Sequence, residues 1–360
     1  MMSHGCPIKY LCLVFCLIFF FLGSHLSLLT TERNAQLTSR LKALHLDKYR
    51  GIQYSNHKPN PDYPDWEIYS YDTADCRCVQ GAEFWVASYR EPASNDVLFY
   101  LGGGGICWPG HDFCNQEVPH DEALEATRII PLSGWNYIYV PYCDGSVHMG
   151  DNEVDVDGDG KTDRWYWGLR GTSAAVALMK ELHLNPKRIL ITGNSAGGYG
   201  TIITAMIIRL QYPRTKLYVF NKAGPGLFNP KDRETWELIK DAWDIKQFFP
   251  DDCDKCHDQL IYLYDWMLDR DDNLKIGLTS SYFDLVIGGM YMRTTPQDYK
   301  NLLMNATNVI REKHPDTFKR FFIKGVDHNI SNKYEVNGVT VRVWLEHLVN
   351  DSPQWKDILE

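Results

Sequence analysis

The chain has 360 residues, 44% of them hydrophobic, with a formal net charge of −9 and a pI near 5.7. That length accommodates one large domain or two ordinary ones with ample core. The acidic balance provides no basic face for a nucleic acid, and no repeat or low-complexity tract stands out.

At the N-terminus, Tyr10 to Leu22 (YLCLVFCLIFFFL) is apolar throughout and follows Lys9, the pattern of a signal-peptide core. The apolar character continues less cleanly to Leu29, about twenty residues in all, which is enough to span a bilayer. Residues 1–30 are therefore expected to be a cleaved signal peptide or a signal anchor. Both send the remainder into the secretory pathway, either secreted or held as a type II protein that meets the membrane only through that segment.

Cysteine usage agrees with an oxidising compartment. Cys6, Cys12 and Cys16 lie in the N-terminal segment, which leaves Cys76, Cys78, Cys107, Cys114, Cys143, Cys253 and Cys256. Most of these should pair, with one left over. Cys107 with Cys114 would close one short loop. Cys253 and Cys256 have C-x-x-C spacing, and without a second such motif a local disulfide or a distant partner is favoured over zinc. Sequons for N-glycosylation stand at Asn305, Asn329 and Asn350, the last weakened by a following proline.

Residues 31–62 read as a polar, mobile stretch and residues 63–360 as a single domain. Strands are expected at Glu83–Tyr89, Val97–Leu101 and Tyr137–Val140, then a helix at Thr172–His183 with Ala175, Leu178, Met179 and Leu182 on one face. A strand at Ile189–Ile191, a helix at Thr201–Leu210 and strands at Leu217–Phe220, Leu274–Leu278 and Phe321–Ile323 follow. Such alternation implies an α/β fold, a mostly parallel sheet with helices on both faces. Chemistry in such sheets collects at the carboxyl ends of the strands.

At one of those ends Gly193-Asn194-Ser195-Ala196-Gly197 fits G-x-S-x-G between a strand and a helix. Ser195 is a nucleophile candidate if a base and an acid reach it. Of the histidines that follow, His328 comes directly after a strand and glycine turn (RFFIKGVD). His257 sits in a charged, cysteine-bearing insert, and His314 and His347 look like helix-surface positions. Asp284 follows the preceding strand, whereas Asp269, Asp271 and Asp272 precede it and Asp327 adjoins His328 in sequence. The glycine run in FYLGGGGICW follows an early strand, and its Gly103 to Gly105 amides, with that of Ala196, suit an oxyanion. No Lys-Ser/Thr pair follows the glycines, so a nucleotide site is disfavoured.

FYLGGGGICW, VPYCDGSVHMGD, ITGNSAGGYGT, SSYFD and GVDH, in that order, resemble the pectin acetylesterase family, which also contains the Notum-type protein deacylases. The resemblance covers roughly Val97 to Asn329. It implies an α/β-hydrolase-like fold and carboxylic ester hydrolysis with no cofactor for catalysis. Carried over residue by residue, it makes Ser195 the nucleophile, Asp284 the acid and His328 the base, with oxyanion amides at Gly104, Gly105 and Ala196. Gly105 stands where the Notum type has a tryptophan, which argues against a lipid-tunnel deacylase.

Apart from that set, DVDGDGKTD places carboxylates at Asp155, Asp157, Asp159 and Asp163 with glycines between, a spacing that can wrap oxygen ligands around one structural Ca2+. The expected activity is that of a secreted serine esterase removing acyl groups, acetyl first, from an acylated glycan or another small ester. A non-catalytic calcium-dependent extracellular binding protein, or a protein O-deacylase of the Notum type, is the alternative.

Overall fold

The computed structural model describes residues 32–115, 117 and 132–360. The apolar N-terminal segment with its three cysteines lies outside the described residues. Among the described residues, no helix is long and apolar enough to cross a membrane.

One ten-stranded sheet organises the chain. Its strands, in sequence, are β1 (Asn56–Pro59), β2 (Trp66–Ser70), β3 (Trp85–Tyr89), β4 (Asp96–Leu101) and β5 (Asn136–Val140), then β6 (Arg188–Asn194), β7 (Lys216–Lys222), β8 (Leu274–Ser281), β9 (Phe318–Ile323) and β10 (Ile358–Leu359). They lie in the order β1-β2-β3-β5-β4-β6-β7-β8-β9-β10. The first three pairings, β1 to β5, are antiparallel and the rest are parallel. The expected α/β fold with a mostly parallel sheet is what the chain adopts.

Two apolar layers sandwich this sheet, because alternate side chains of a strand face opposite ways. Val97, Phe99, Ile189, Ile191, Leu217 and Val219 join one core with helices α2 (Gly168–Leu182) and α3 (Ala196–Gln211). Leu98, Leu190, Tyr218 and Phe220 join another with Trp344, Leu345 and Leu348 of α5 (Val341–Val349). Gly277, in the middle of β8, makes room for the Trp344 indole: a Cβ there would lie 2.9 Å from the ring. Helix α4 (Arg233–Trp243) packs further along the first face and shapes the cavity described below.

The lead-in departs from expectation. Residues 32–43 form a helix, α1, that buries Leu37 and Leu41, with Leu44 and Leu46 buried just beyond it. Three of these leucines, 37, 41 and 44, fall on one helical face, so a largely polar composition hides an amphipathic docking helix. Arg33 and Arg40 fasten it to Asp272 at 2.8 Å and Asp252 at 2.6 Å. Residues 56–59 then form the edge strand β1.

Disulfides join Cys78 to Cys143, Cys107 to Cys114 and Cys253 to Cys256, while Cys76 is a buried free thiol. The C-x-x-C motif is thus closed locally, and the Cys107–Cys114 loop is closed as its spacing suggests.

Candidate active site

Strands β4 and β6 are parallel neighbours with Leu101 level with Gly193, so the loops leaving their carboxyl ends emerge side by side. Because β5 lies on the other side of β4, chain order reverses here, which opens a crevice at this point of the sheet. The glycine loop leaves β4 and Ser195 leaves β6.

Ser195 has φ +58° and ψ −121°, a backbone conformation favourable only to glycine, and its N–H donates to the Lys222 carbonyl at 2.9 Å. The flanking glycines are steric requirements. A Cβ on Gly193 would lie 2.5 Å from the Gly197 backbone, and one on Gly197 would lie 2.1 Å from the Leu101 carbonyl oxygen. The backbone N–H groups at the start of α3, that of Ala196 first, have no partner within the helix, and the peptide dipoles of α3 add positive potential there.

Asp284 is 1% exposed and caps a wide π-type turn, Leu285–Tyr291. Its Oδ1 accepts from the Val286 and Ile287 amides at 2.9 and 3.0 Å, and its Oδ2 lies 2.8 Å from Nδ1 of His328. The remaining ring nitrogen, Nε2, is buried and makes no hydrogen bond among the described residues. His328 and Ser195 line one cleft. The His328 loop is held there by the Ser281 hydroxyl, which donates to the Asp327 carbonyl at 2.5 Å, and by the Asn194 amide, which donates to Asn329 Oδ1 at 2.7 Å.

Rival residues find other work. Asp271 is a buried partner of Arg209 at 2.7 Å, Asp269 and Asp272 pair with Lys313 and Arg33, and Asp327 is exposed. His314 is not at the surface as its helical position suggested. It ends its helix and is held by Asp265 at 2.8 Å.

Of the three amides assigned to the oxyanion, those of Gly104 and Ala196 belong to residues lining a cavity with Ser195. Gly105 differs: its N–H donates to Asn115 Oδ1 at 3.4 Å, and a Cβ there would collide with the Phe113 carbonyl. The Gly103 and Gly104 N–H groups, by contrast, have no partner among the described residues.

Ser195 stands between two hollows. One is walled by Trp108, Tyr199, Phe228, Trp236, Ile239 and Trp243, and Gly104 and Ala196 line it too. The other, a wider and more open cleft, is lined by Gly103, Asn194, His328 and Asn329 together with Phe113, Val286 and Met290. The first suits an apolar group, whereas the second mixes polar groups such as Asn194, His328 and Asn329 with apolar ones such as Phe113, Val286 and Met290. Lys222, whose carbonyl receives the Ser195 N–H, is pushed down to about 8 by burial of its ammonium.

The acidic loop caps a hairpin of Asn152–Val154 and Arg164–Tyr166. Ligand oxygens of Asp155, Asp157 and Asp159 lie within 4.8 Å of one another. Asp163 turns inward, accepting from the Val156 amide at 2.7 Å. The Gly158 and Gly160 amides on Asp155 hold its carboxyl below the usual carboxylate range. Three exposed carboxylates form a donor set that fits a hard divalent cation.

Residues 131–251 match the sequence profile of the family described as Pectinacetylesterase. The matched stretch is about a third of the chain and resembles that family. Pectin acetylesterase 4 of Arabidopsis thaliana is 29% identical over 140 residues, 34% of this chain and 33% of the relative. The alignment therefore spans about a third of the length of that curated relative. The family segment contains Ser195 and Ala196 and ends before Asp284 and His328, which the fold brings in from later strands.

Proposed function

We propose that the protein is a serine carboxylic-ester hydrolase that removes short acyl groups, acetyl first among them, from a glycan or glycoconjugate in the secretory pathway or outside the cell. One observation carries this reading: Ser195, on a glycine-flanked turn, shares a cleft with a histidine whose far nitrogen is held by a buried carboxylate. The likeness of residues 131–251 to the Pectinacetylesterase profile supports it.

In this mechanism His328 Nε2 takes the Ser195 proton as Oγ attacks the ester carbonyl, and Asp284 orients the imidazole and stabilises its charge. Backbone amides of the glycine loop and of Ala196 stabilise the oxyanion. Collapse of the tetrahedral adduct expels the alcohol, which His328 protonates, and water then releases the acyl group by the same route. The apolar hollow would take the acyl chain and the wider cleft the alcohol.

The test is hydrolysis of p-nitrophenyl esters from acetate to hexanoate by the secreted protein from Thr31 onward, beside Ser195→Ala and a fluorophosphonate label. Turnover and labelling lost together in the variant are expected. A folded protein that neither turns over nor labels would instead be a binding protein on this scaffold. The Asp155–Asp159 carboxylates are proposed to hold a structural Ca2+ that takes no part in the chemistry.

A further inference from the structure

The loop Gly102–Gly105 has no side chains to fix it, and four consecutive glycines give it more conformational freedom than any other composition would. An oxyanion site needs its donors fixed before the reaction begins. Something outside the loop must therefore hold it. At its far end Asn115 receives the Gly105 N–H. At its near end stands a histidine the proposed mechanism does not use.

His148 is 2% exposed, and its Nε2 lies 2.8 Å from the Gly102 carbonyl oxygen. A carbonyl can only accept, so Nε2 carries the proton. Burial lowers the pKa of this ring, which keeps it neutral. The residue is itself fixed from several directions. Its N–H donates to Asp144 Oδ1 at 3.2 Å and its carbonyl accepts from the Thr172 hydroxyl at 3.0 Å. Its ring lies so close to Gly200 of the nucleophile helix that a Cβ there would be 2.9 Å from Cδ2. Its φ is +64°, in the left-handed region that a β-carbon makes costly.

In a trans peptide the carbonyl of one residue and the N–H of the next point in opposite directions. With the Gly102 oxygen drawn inward to His148, the Gly103 N–H is turned outward, where Gly103 lines the cleft with Ser195. We propose that His148 is a positioning residue for the oxyanion site, its Nε2–H fixing the Gly102–Gly103 peptide so that the Gly103 N–H faces the cleft beside Ser195. This rests on the esterase reading. The hydrogen bond touches no substrate, so its loss should weaken binding of the transition state and leave ground-state binding unchanged.

The experiment compares wild type, His148→Leu and His148→Gln with p-nitrophenyl acetate, every rate divided by the sites titrated with fluorophosphonate. Turnover by wild type tests the esterase reading separately, and if wild type hydrolyses no ester the proposal falls with that reading. For His148→Leu, kcat per titrated site is expected to fall about 10- to 100-fold with KM within about threefold. The Ki of a trifluoromethyl ketone, whose hydrate-like adduct places an oxyanion in the same site, should rise by the same factor. The Gln variant, whose amide can still donate to Gly102, should recover most of the rate. A residue that merely supports the fold would lower the number of titratable sites and leave kcat per site unchanged. The proposal is overturned if His148→Leu stays within about threefold of wild-type kcat per site, or if Gln is as impaired as Leu. Should the Leu variant not fold, His148→Asn, polar but too short to reach Gly102, is read against the same thresholds.

Discussion

Replacing Asp284 by asparagine separates its two tasks. In the native protein Oδ1 receives two backbone amides, from Val286 and Ile287, and Oδ2 faces His328 Nδ1 at 2.8 Å. In Asp284→Asn the amide oxygen must stay on the two N–H donors, because turning it round would aim the NH2 at them. The NH2 therefore faces His328 and donates to Nδ1, which must then be unprotonated. That leaves the proton on Nε2, the atom meant to receive one from Ser195. The wrong tautomer, with loss of the carboxylate that stabilises the imidazolium, should lower kcat about 10^3- to 10^4-fold, or about 4 to 5.5 kcal/mol in the barrier. The cap on the turn survives, so Tm should hardly move. Asp284→Ala removes the cap as well and should cost a further ~1 kcal/mol of stability. Steady-state kinetics on p-nitrophenyl acetate and differential scanning calorimetry measure the two effects. An Asn variant within about tenfold of wild-type kcat would refute the assignment of Asp284 as the group that orients His328.

Gly197→Ala places a Cβ against the Leu101 and Gly102 carbonyl oxygens, both backbone atoms that cannot yield, so more than ~3 kcal/mol of stability and nearly all activity should be lost; a variant melting within a few degrees of wild type contradicts the packing argument. Lys222 binds its proton less readily in the folded chain, near pH 8, than in the unfolded chain, near 10.5, so between these values the unfolded state holds more protons and stability rises with pH. Lys222→Met should flatten that rise, by about 3 kcal/mol at most, and parallel urea-denaturation profiles for the two proteins would refute it. Adding a chelator should lower Tm if the Asp155–Asp159 loop holds Ca2+, and elemental analysis that finds no metal, with no shift, would end that proposal.

The central strands were readable because strands buried on both faces show as unbroken apolar runs, as at Val97–Leu101 and Leu217–Phe220. Their carboxyl ends were not. β6 continues through Thr192, Gly193 and Asn194, polar or small residues that composition assigns to a loop, although Thr192 is buried and its hydroxyl donates to the Phe220 carbonyl at 2.7 Å. Helix α1 carried a readable signal in the spacing of Leu37, Leu41 and Leu44, obscured by the polar residues between. At the site, motif order pointed to Ser195, Asp284 and His328, which the fold brings to one edge of the sheet. The direction of a loop amide has no counterpart in residue type, so Gly105 facing Asn115 had no signal. Neither did the wall contributed by α4, since the residue types of Trp236 and Ile239 do not distinguish a cavity wall from a core.

The dihedral angles of Ser195 have a consequence for how the protein can change. A non-glycine residue held there stores strain, on the order of 1–3 kcal/mol, that the surrounding strands and helix must outweigh. Ser195→Gly would relax it, so selection for heat resistance alone, without selection for turnover, should favour loss of the hydroxyl on which the proposed chemistry depends. At this turn, thermostability and activity pull in opposite directions. Stabilising changes that keep the protein active must come from elsewhere, such as the exposed edge strand β1 or the solvent face of α1.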